Sequence, residues 1–186
     1  MTREPLERLL TAEEYAQLPE DDRYRDELVR GRVVREPSPG YPHGRVQSRL
    51  LVRLWSFVEE RGLGYAGVDT GFIVERGPDT VRGPDVYFVS RAQLGDQHPD
   101  PYPELGPDLA VEVLSPSNRR GEMARKLAQY FAAGTRLAWV IDPKKRTARV
   151  HHPDGAIRVL HEQDELEGED VIPGFHCGLR DVLEPA

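Results

Sequence analysis

The sequence predicts an α/β fold of mixed type, in which a central mixed β-sheet is flanked by helices. Apolar strand segments at 108–115 and 136–142 alternate with amphipathic helical segments at about 42–61 and 119–133. This alternation is typical of a sheet covered by helices. The chain shows no repeat and no long linker, so we expect a single domain over residues 1–186.

The first part of the chain carries clear start and turn signals. Thr11 and Glu14 form a capping box, which predicts a short helix at about 12–18. The segment "DELVRGRVVRE" predicts a hairpin that turns at Arg30–Gly31. Pro42 opens the first long helix. The expected core stripe of this helix consists of Val46, Leu50, Leu54, Phe57 and Val58.

The remaining elements are predicted from apolar runs and turn residues. The segments "YAGVDTGFIVERG" and "PDVYFVS" indicate strands joined by a turn rich in Gly, Pro and Asp, and residues 91–105 indicate a polar loop. The second long helix ends at Gly134. Its expected buried face consists of Met123, Leu127, Tyr130 and Phe131. The segments "ARVHH" and "AIRVL" predict a hairpin around Pro153-Asp154-Gly155.

Composition and charge restrict the class of protein without deciding its partner. The formal net charge is −7, but six acidic residues lie in the segment 162–170, and the remaining 25 basic and 26 acidic residues give −1. Local basic patches are therefore compatible with the sequence. No apolar run reaches the roughly 18 residues of a membrane span, and the N-terminus lacks a signal-peptide pattern. The only cysteine, Cys177, excludes an intrachain disulfide and fits a cytoplasmic location.

Glu112 is an unusual residue for its position. It stands within the apolar run Leu109–Leu114, which predicts a buried strand. Because an unpaired buried carboxylate is costly, Glu112 is expected either to lie on an open face or to meet a cation.

Asp85 offers a second acid near Glu112. It opens the strand "VYFVS", and the simpler interpretation is a turn residue at a strand entrance, as for Asp79. If the strands carrying Asp85 and Glu112 are neighbours, the two carboxylates point at one spot and repel each other unless they share a proton or a metal. Oxygen ligands suit Mg²⁺ or Mn²⁺, and such a site suits phosphodiester cleavage.

These motifs, in this order and spacing, carry a family resemblance. The landmarks are "DELVRGRVV", His43, "GPDVYFV", "PDLAVEVLSPSN", "EMARKLAQYFAAG", "LAWVIDP" and "IPGF". The chain resembles the Uma-two family of restriction-endonuclease-like bacterial proteins, within the PD-(D/E)XK nuclease superfamily. The resemblance implies a restriction-endonuclease-like core, a Mg²⁺-dependent nuclease activity, Asp85 and Glu112 as metal ligands, and a homodimer.

The lysine of the superfamily motif is missing from its usual place, because Leu114 stands two residues after Glu112. The resemblance places this lysine on the next helix, at Lys126. Only three of the 25 basic residues are lysines, which favours a specific role for Lys126. Its position at the edge of the apolar stripe would also let it reach over the end of the sheet. The alternative is a surface lysine paired with Glu122.

Two further catalytic candidates come from the resemblance. Glu27 matches a family acid and would bind a metal or water, and the alternative is a glutamate on a strand surface. His43 matches a family histidine and would bind phosphate or relay a proton, and the alternative is a structural histidine.

Other polar residues give weaker signals. Arg45, Arg49 and Arg53 recur every four residues on the first long helix and would track a phosphate backbone, unless they form a solvated face. Ser115 and Ser117 are expected to cap the second long helix, because no nucleophile-elbow motif surrounds them.

The sequence therefore predicts a metal-dependent endonuclease that acts on DNA, with Asp85, Glu112, Lys126, Glu27 and His43 at its site. One alternative is a catalytically weak nuclease fold used for nucleic-acid binding or for assembly of a defence complex. Another is a glycosidase that uses Glu112 and Asp85 as acid and base. The sequence offers only two tryptophans as sugar platforms, and a glycosidase would not respond to EDTA.

Overall fold

The computed structural model describes residues 8–19, 21, 23–95, 100–116 and 119–183. Its helices are α1 (Ala12–Tyr15), α2 (Tyr41–Glu60), α3 (Arg91–Leu94), α4 (Arg120–Ala132) and α5 (Leu179–Val182). Its strands are β1 (Tyr24–Val29), β2 (Arg32–Pro37), β3 (Gly64–Gly67), β4 (Phe72–Glu75), β5 (Thr80–Arg82), β6 (Val86–Ser90), β7 (Leu109–Val113), β8 (Leu137–Asp142), β9 (Thr147–His151), β10 (Ile157–His161), β11 (Glu165–Glu167) and β12 (His176–Gly178).

A mixed sheet forms the centre of the fold. In the described part of the chain it has six strands in the order β10-β9-β8-β7-β6-β3. β7 and β8 run parallel, whereas the other neighbouring pairs run antiparallel. α4 makes the crossover that a parallel pair requires. The predicted mixed sheet flanked by helices is confirmed.

The two long helices cover opposite faces of this sheet. Successive residues of a strand point to opposite faces. Val111 and Val113 of β7 pack with α2 in the larger apolar core, whereas Ala110 packs with Leu127 of α4. Glu112 shares the parity of Ala110, so its side chain faces α4.

The predicted helices are confirmed to within one residue at each end of α2 and α4. The capping box at Thr11 and Glu14 is also present, although α1 ends earlier than expected, at Tyr15. The expected serine cap of α4 is wrong for Ser115, because Arg119 occupies the N-cap position and its side chain makes no capping hydrogen bond. Ser117 lies outside the described residues.

A second, antiparallel sheet in the order β2-β1-β5-β4 contains the predicted hairpin at Arg30–Gly31. The segment expected as one strand, 65–77, instead splits between β3 in the central sheet and β4 in the second sheet. Asp69 has a φ of +52° between them, and a β-carbon on Gly71 would lie 2.7 Å from the Tyr102 ring. This tight turn redirects the chain from one sheet to the other.

Two short elements were not predicted in the middle of the chain. β5 lies within the Gly- and Pro-rich stretch that was expected to be a turn, and α3 lies within the expected loop 91–105. Residues 96–99 of that loop are outside the described part of the chain. β5 is buried throughout, so its three residues belong to a strand despite the flanking turn residues.

The acid-rich segment 162–170 is part of the folded core. β11 pairs with β12, and Leu166 between the acidic residues is fully buried. Glu162 binds both Arg146 and Arg180, at 2.5 and 3.0 Å. Some of this negative charge is therefore neutralised locally by arginine.

Candidate active site

A cleft opens where the carboxyl end of β7 and the amino end of β6 meet the second sheet. All five residues predicted for the site line this cleft: Glu27, His43, Asp85, Glu112 and Lys126. β6 and β7 are adjacent, as the acid-pair hypothesis requires. The fold therefore brings the residues together from β1, α2, the start of β6, β7 and α4.

Asp85 is buried at the entrance to β6, where three donors hold its carboxylate. The backbone N–H of Val113 donates to Oδ2 at 2.6 Å, and His43 Nε2 lies 3.1 Å from the same oxygen. Arg25 Nη1 donates to Oδ1 at 2.5 Å. Burial alone would raise the pKa of this carboxyl, but the hydrogen bond and charge of His43, together with Arg25 and Lys126, lower it to about 2. Asp85 is therefore an anion at neutral pH.

Glu112 pairs with a cation, Lys126, as expected for a carboxylate within an apolar strand. Its carboxylate lies 2.7 Å from the ammonium of Lys126, and the hydroxyl of Tyr130 donates to Oε1 at 2.9 Å. Burial is the strongest influence on this group and raises its pKa to about 7, with Lys126 opposing the rise and Asp85 and Glu27 adding to it. The buried surroundings of Glu112 therefore favour its protonated form more than those of an exposed glutamate do.

Lys126 reaches from α4 into the cleft. Besides Glu112, its ammonium contacts Glu27 Oε1 at 2.9 Å and donates to the carbonyl of Gly83 at 3.2 Å. Its side chain is only 12% exposed. Burial disfavours the charged ammonium, but Glu112, Glu27 and Asp85 outweigh it and raise the lysine pKa above its ordinary value. A surface lysine that only pairs with Glu122 does not fit this placement.

Glu27 is held between cations at the end of the second sheet. Arg82 Nη1 donates to it at 2.6 Å, and the backbone N–H of Gly83 donates at 3.1 Å. Burial raises its pKa, but Lys126 and Arg82 outweigh burial, so the net shift is downward. Glu27 therefore remains ionised and forms the second anchor of Lys126.

His43 lies within the first turn of α2 and is 6% exposed. Its imidazole ring contacts the carboxylate of Asp85 through Nε2. The Nδ1 atom is buried and has no hydrogen-bond partner among the described residues. This geometry suits a residue that orients Asp85 more than one that contacts a substrate phosphate directly.

Comparisons with known proteins identify the family of this chain. Residues 12–181 match the model of the Uma2 family, whose description is "putative restriction endonuclease". The chain belongs to the Uma2 family. No curated protein gives a significant match. None of the described helices is long and apolar enough to cross a membrane.

This chain is also similar to a solved structure, described as "a putative nuclease belonging to DUF820 from Anabaena variabilis ATCC 29413". The two chains share 20% sequence identity and superpose with a TM-score of 0.81. The similarity covers 94% of this chain and 97% of that chain. At this identity the likeness establishes a shared fold.

Sequence reasoning missed several site residues of this Uma2 chain. Arg25 and Arg82 pair with Asp85 and Glu27, and Tyr130 supplies a hydrogen bond as well as apolar contacts. Arg82 is 3% exposed, and Gln129 of α4 holds its Nε at 2.9 Å. The segment "TVR" that ends in Arg82 is too short to show a periodic pattern, so no local signal marks this arginine. No local pattern distinguishes Arg25 from the other arginines of the hairpin.

The donor chemistry of the cleft fits a hard divalent cation. Asp85 and Glu112 are buried carboxylates on adjacent strands, and oxygen ligands of this kind are those that Mg²⁺ and Mn²⁺ prefer. Among the described residues, no group of three or more His, Cys, Asp or Glu side chains is arranged as a metal cluster. Asp85 and Glu112 are turned instead toward Arg25 and Lys126.

The pKa of Glu112 predicts how metal-free stability depends on pH. Its folded-state value of about 7 exceeds its ordinary value of 4.5. The folded state therefore binds this proton more tightly, and the group's contribution to stability is full below 4.5 and lost as the pH rises through 7. Glu112→Gln removes this titration, so the variant should gain stability relative to wild type across this interval. Denaturant unfolding of both proteins in EDTA measures the difference, and parallel curves over the whole interval would contradict it.

Proposed function

We propose that this Uma2 protein is a metal-dependent endonuclease that hydrolyses phosphodiester bonds in DNA. The observation that carries the proposal is the convergence of Asp85, Glu112 and Lys126 on one cleft, from two adjacent strands and a crossover helix. Family membership supports a nuclease activity. The choice of DNA, of Mg²⁺ or Mn²⁺, and of residues 1–186 as one catalytic domain belongs to this proposal.

Asp85 and Glu112 would hold the divalent cation. When bound, the cation would act as a Lewis acid that polarises the scissile phosphate. The hydrogen bond from Val113 N–H and the contact with His43 fix the orientation of the Asp85 carboxylate. The hydroxyl of Tyr130 fixes Glu112 in the same way, from the α4 side.

Lys126 would act on the attacking water or on the charge that develops on the phosphate. A buried ammonium is a strong point charge because little solvent screens it. Glu27 and the Gly83 carbonyl hold the ammonium of Lys126 beside the acid pair formed by Asp85 and Glu112. Glu27 is therefore a positioning residue, and it is not required as a metal ligand in this scheme.

The path of the DNA would pass along the start of α2. Pro39 lines both the active-site cleft and a shallow groove that carries Tyr41, Arg45 and Arg49. The two surfaces therefore adjoin at Pro39. Arg49 also donates to the backbone carbonyl of Leu183 at 3.3 Å, so part of its hydrogen-bonding capacity is used within the fold.

Replacing Arg45, Arg49 and Arg53 together by glutamine should weaken DNA binding and flatten its dependence on salt. Each lost phosphate contact should reduce the slope of log affinity against log salt by about 0.9 on duplex DNA. Titration of a labelled duplex at several salt concentrations, in Ca²⁺ to prevent turnover, measures both quantities. Unchanged affinity at low salt would assign the three arginines to the solvated surface.

The proposed activity is tested by incubating the protein with plasmid and with single-stranded DNA in Mg²⁺, Mn²⁺ or EDTA. We expect cleavage with either metal and none in EDTA. DNA binding without cleavage under all conditions would favour the alternative of a binding protein with a nuclease fold. The homodimer and the cytoplasmic location stay predictions, which sedimentation and cell fractionation would test.

A further inference from the structure

Arg25 lines the cleft, and the family motifs do not explain its position there. It lies on β1, and its guanidinium bridges two carboxylates. One nitrogen donates to Asp85 at 2.5 Å, and another forms an ion pair with Asp69 at the rim. Asp69 is held in turn by the side-chain amide of Gln47 at 3.0 Å. Arg25 therefore covers one oxygen of a proposed metal ligand.

Three of the acids that line the cleft, those of the predicted site, each pair with a different cation. Glu27 pairs with Arg82, Glu112 pairs with Lys126, and Asp85 pairs with Arg25. The charges of Glu27, Asp85 and Glu112 are thus balanced by basic side chains of the cleft itself. A divalent ion that binds Asp85 must compete with one of these cations.

The cations differ in how firmly they are held. The side chain of Arg82 is 3% exposed and that of Lys126 is 12% exposed, and each is anchored by groups from two elements. The side chain of Arg25 is 29% exposed, and its second partner, Asp69, is 48% exposed. Of the three cations, Arg25 can therefore leave its buried carboxylate at the lowest cost in free energy, because its charge can move toward solvent.

We propose that Arg25 is a displaceable counter-cation, which neutralises Asp85 until a divalent ion enters and then binds a phosphate of the DNA. This inference rests on the proposed function and adds a residue to it. A guanidinium presents a planar fork of donors that suits a phosphate as well as a carboxylate. Arg25 already lies at the rim beside Asp69, where a substrate backbone would approach.

Arg25→Gln should change metal and DNA affinity in opposite directions. Without its competitor, Asp85 should bind Mn²⁺ at least about tenfold more tightly, as calorimetry on the metal-free protein would show. In saturating Ca²⁺, the same variant should bind duplex DNA more weakly, with a salt slope reduced by about 0.9. A residue that only supports the fold would weaken both affinities.

Arg158→Gln is the matched control. It removes the same unit of charge from a half-exposed arginine on β10, which pairs with Glu167 and Glu169 away from the cleft. Its metal and DNA affinities should equal those of wild type. If Arg25→Gln does not fold, Arg25→Lys keeps the charge but cannot bridge both carboxylates, and its Mn²⁺ affinity should exceed that of wild type by a smaller factor.

The outcomes separate this inference from the proposed function. Tighter Mn²⁺ binding with weaker DNA binding in the Arg25 variant supports the displaceable counter-cation. Mn²⁺ binding by wild type with no gain in either Arg25 variant overturns the role of Arg25 and leaves the metal site standing. If neither wild type nor any variant binds Mn²⁺, the proposed metal site and the role of Arg25 both fail.

Discussion

Asp85→Asn and Glu112→Gln are each expected to reduce DNA cleavage by at least about 1000-fold, a barrier increase of roughly 4 kcal/mol. Each substitution removes one of the two carboxylates that would hold the divalent ion. The amides keep an oxygen that can accept the hydrogen bonds from Val113 N–H and from the Tyr130 hydroxyl. The fold should therefore survive, and calorimetry should show that Mn²⁺ binding is lost in both variants.

Asp108→Asn is the control for the Asp85 substitution. Asp108 ends another "GPD" triplet and is 4% exposed, close to the 3% of Asp85. Its carboxylate accepts a hydrogen bond from the backbone N–H of Ser90 at 2.7 Å, away from the residues that line the cleft. This variant should keep metal binding and cleavage. Full Mn²⁺ affinity in both active-site variants would remove Asp85 and Glu112 from the metal site.

Lys126→Arg is expected to slow cleavage by at least about tenfold while leaving metal binding intact, a barrier increase of roughly 1.4 kcal/mol. The ammonium sits in a buried space within 3.2 Å of Glu112, Glu27 and the Gly83 carbonyl. Arginine is longer and planar, so its fork would place the charge differently. The two carboxylates are unchanged, so Mn²⁺ should still bind.

Lys145→Arg makes the same chemical change at an exposed position. Lys145 is 59% exposed and pairs with Asp142 at 3.4 Å, outside the cleft. Its turnover should equal that of wild type. Should Lys126→Arg also turn over at the wild-type rate in saturating Mg²⁺, Lys126 would have no part in the chemistry.

The position of Glu112 shows how much of the site could be predicted from the sequence. An acid within a buried apolar strand must have a partner, and this rule holds without knowledge of the fold. The alternation of β7 then places Glu112 on the α4 face, where Lys126 and Tyr130 lie. The strand period predicts the face that carries Glu112, whereas the role of Lys126 came from the family resemblance and the hydrogen bond from Tyr130 was not predicted.

Arg25 and Arg82 could not be predicted in the same way. Both come from the second sheet, whose strand order depends on long-range pairing of β1 with β5. β5 has only three residues and lies between turn residues, so no periodic pattern reveals it. The residues next to Arg25 and Arg82 in the sequence do not indicate that these two arginines, among the many of this chain, pair with buried acids. The charge balance of the cleft is therefore a property of the tertiary structure.

The split of the predicted strand at 65–77 has a related cause. Its apolar residues are compatible with one strand, but Asp69 at a positive φ and the close approach of Gly71 to Tyr102 turn the chain between two sheets. The contact with Tyr102 involves residues distant in sequence. A local pattern could not show it.

The most direct test of the account is plasmid cleavage by wild type and by Asp85→Asn, measured side by side in Mg²⁺, in EDTA, and in EDTA followed by excess Mg²⁺. We predict cleavage by wild type in Mg²⁺, none in EDTA, and recovery when Mg²⁺ is restored, with no cleavage by the variant in any condition. Cleavage by wild type that persists in EDTA, or an Asp85→Asn protein as active as wild type, would contradict a metal-dependent nuclease site built on Asp85.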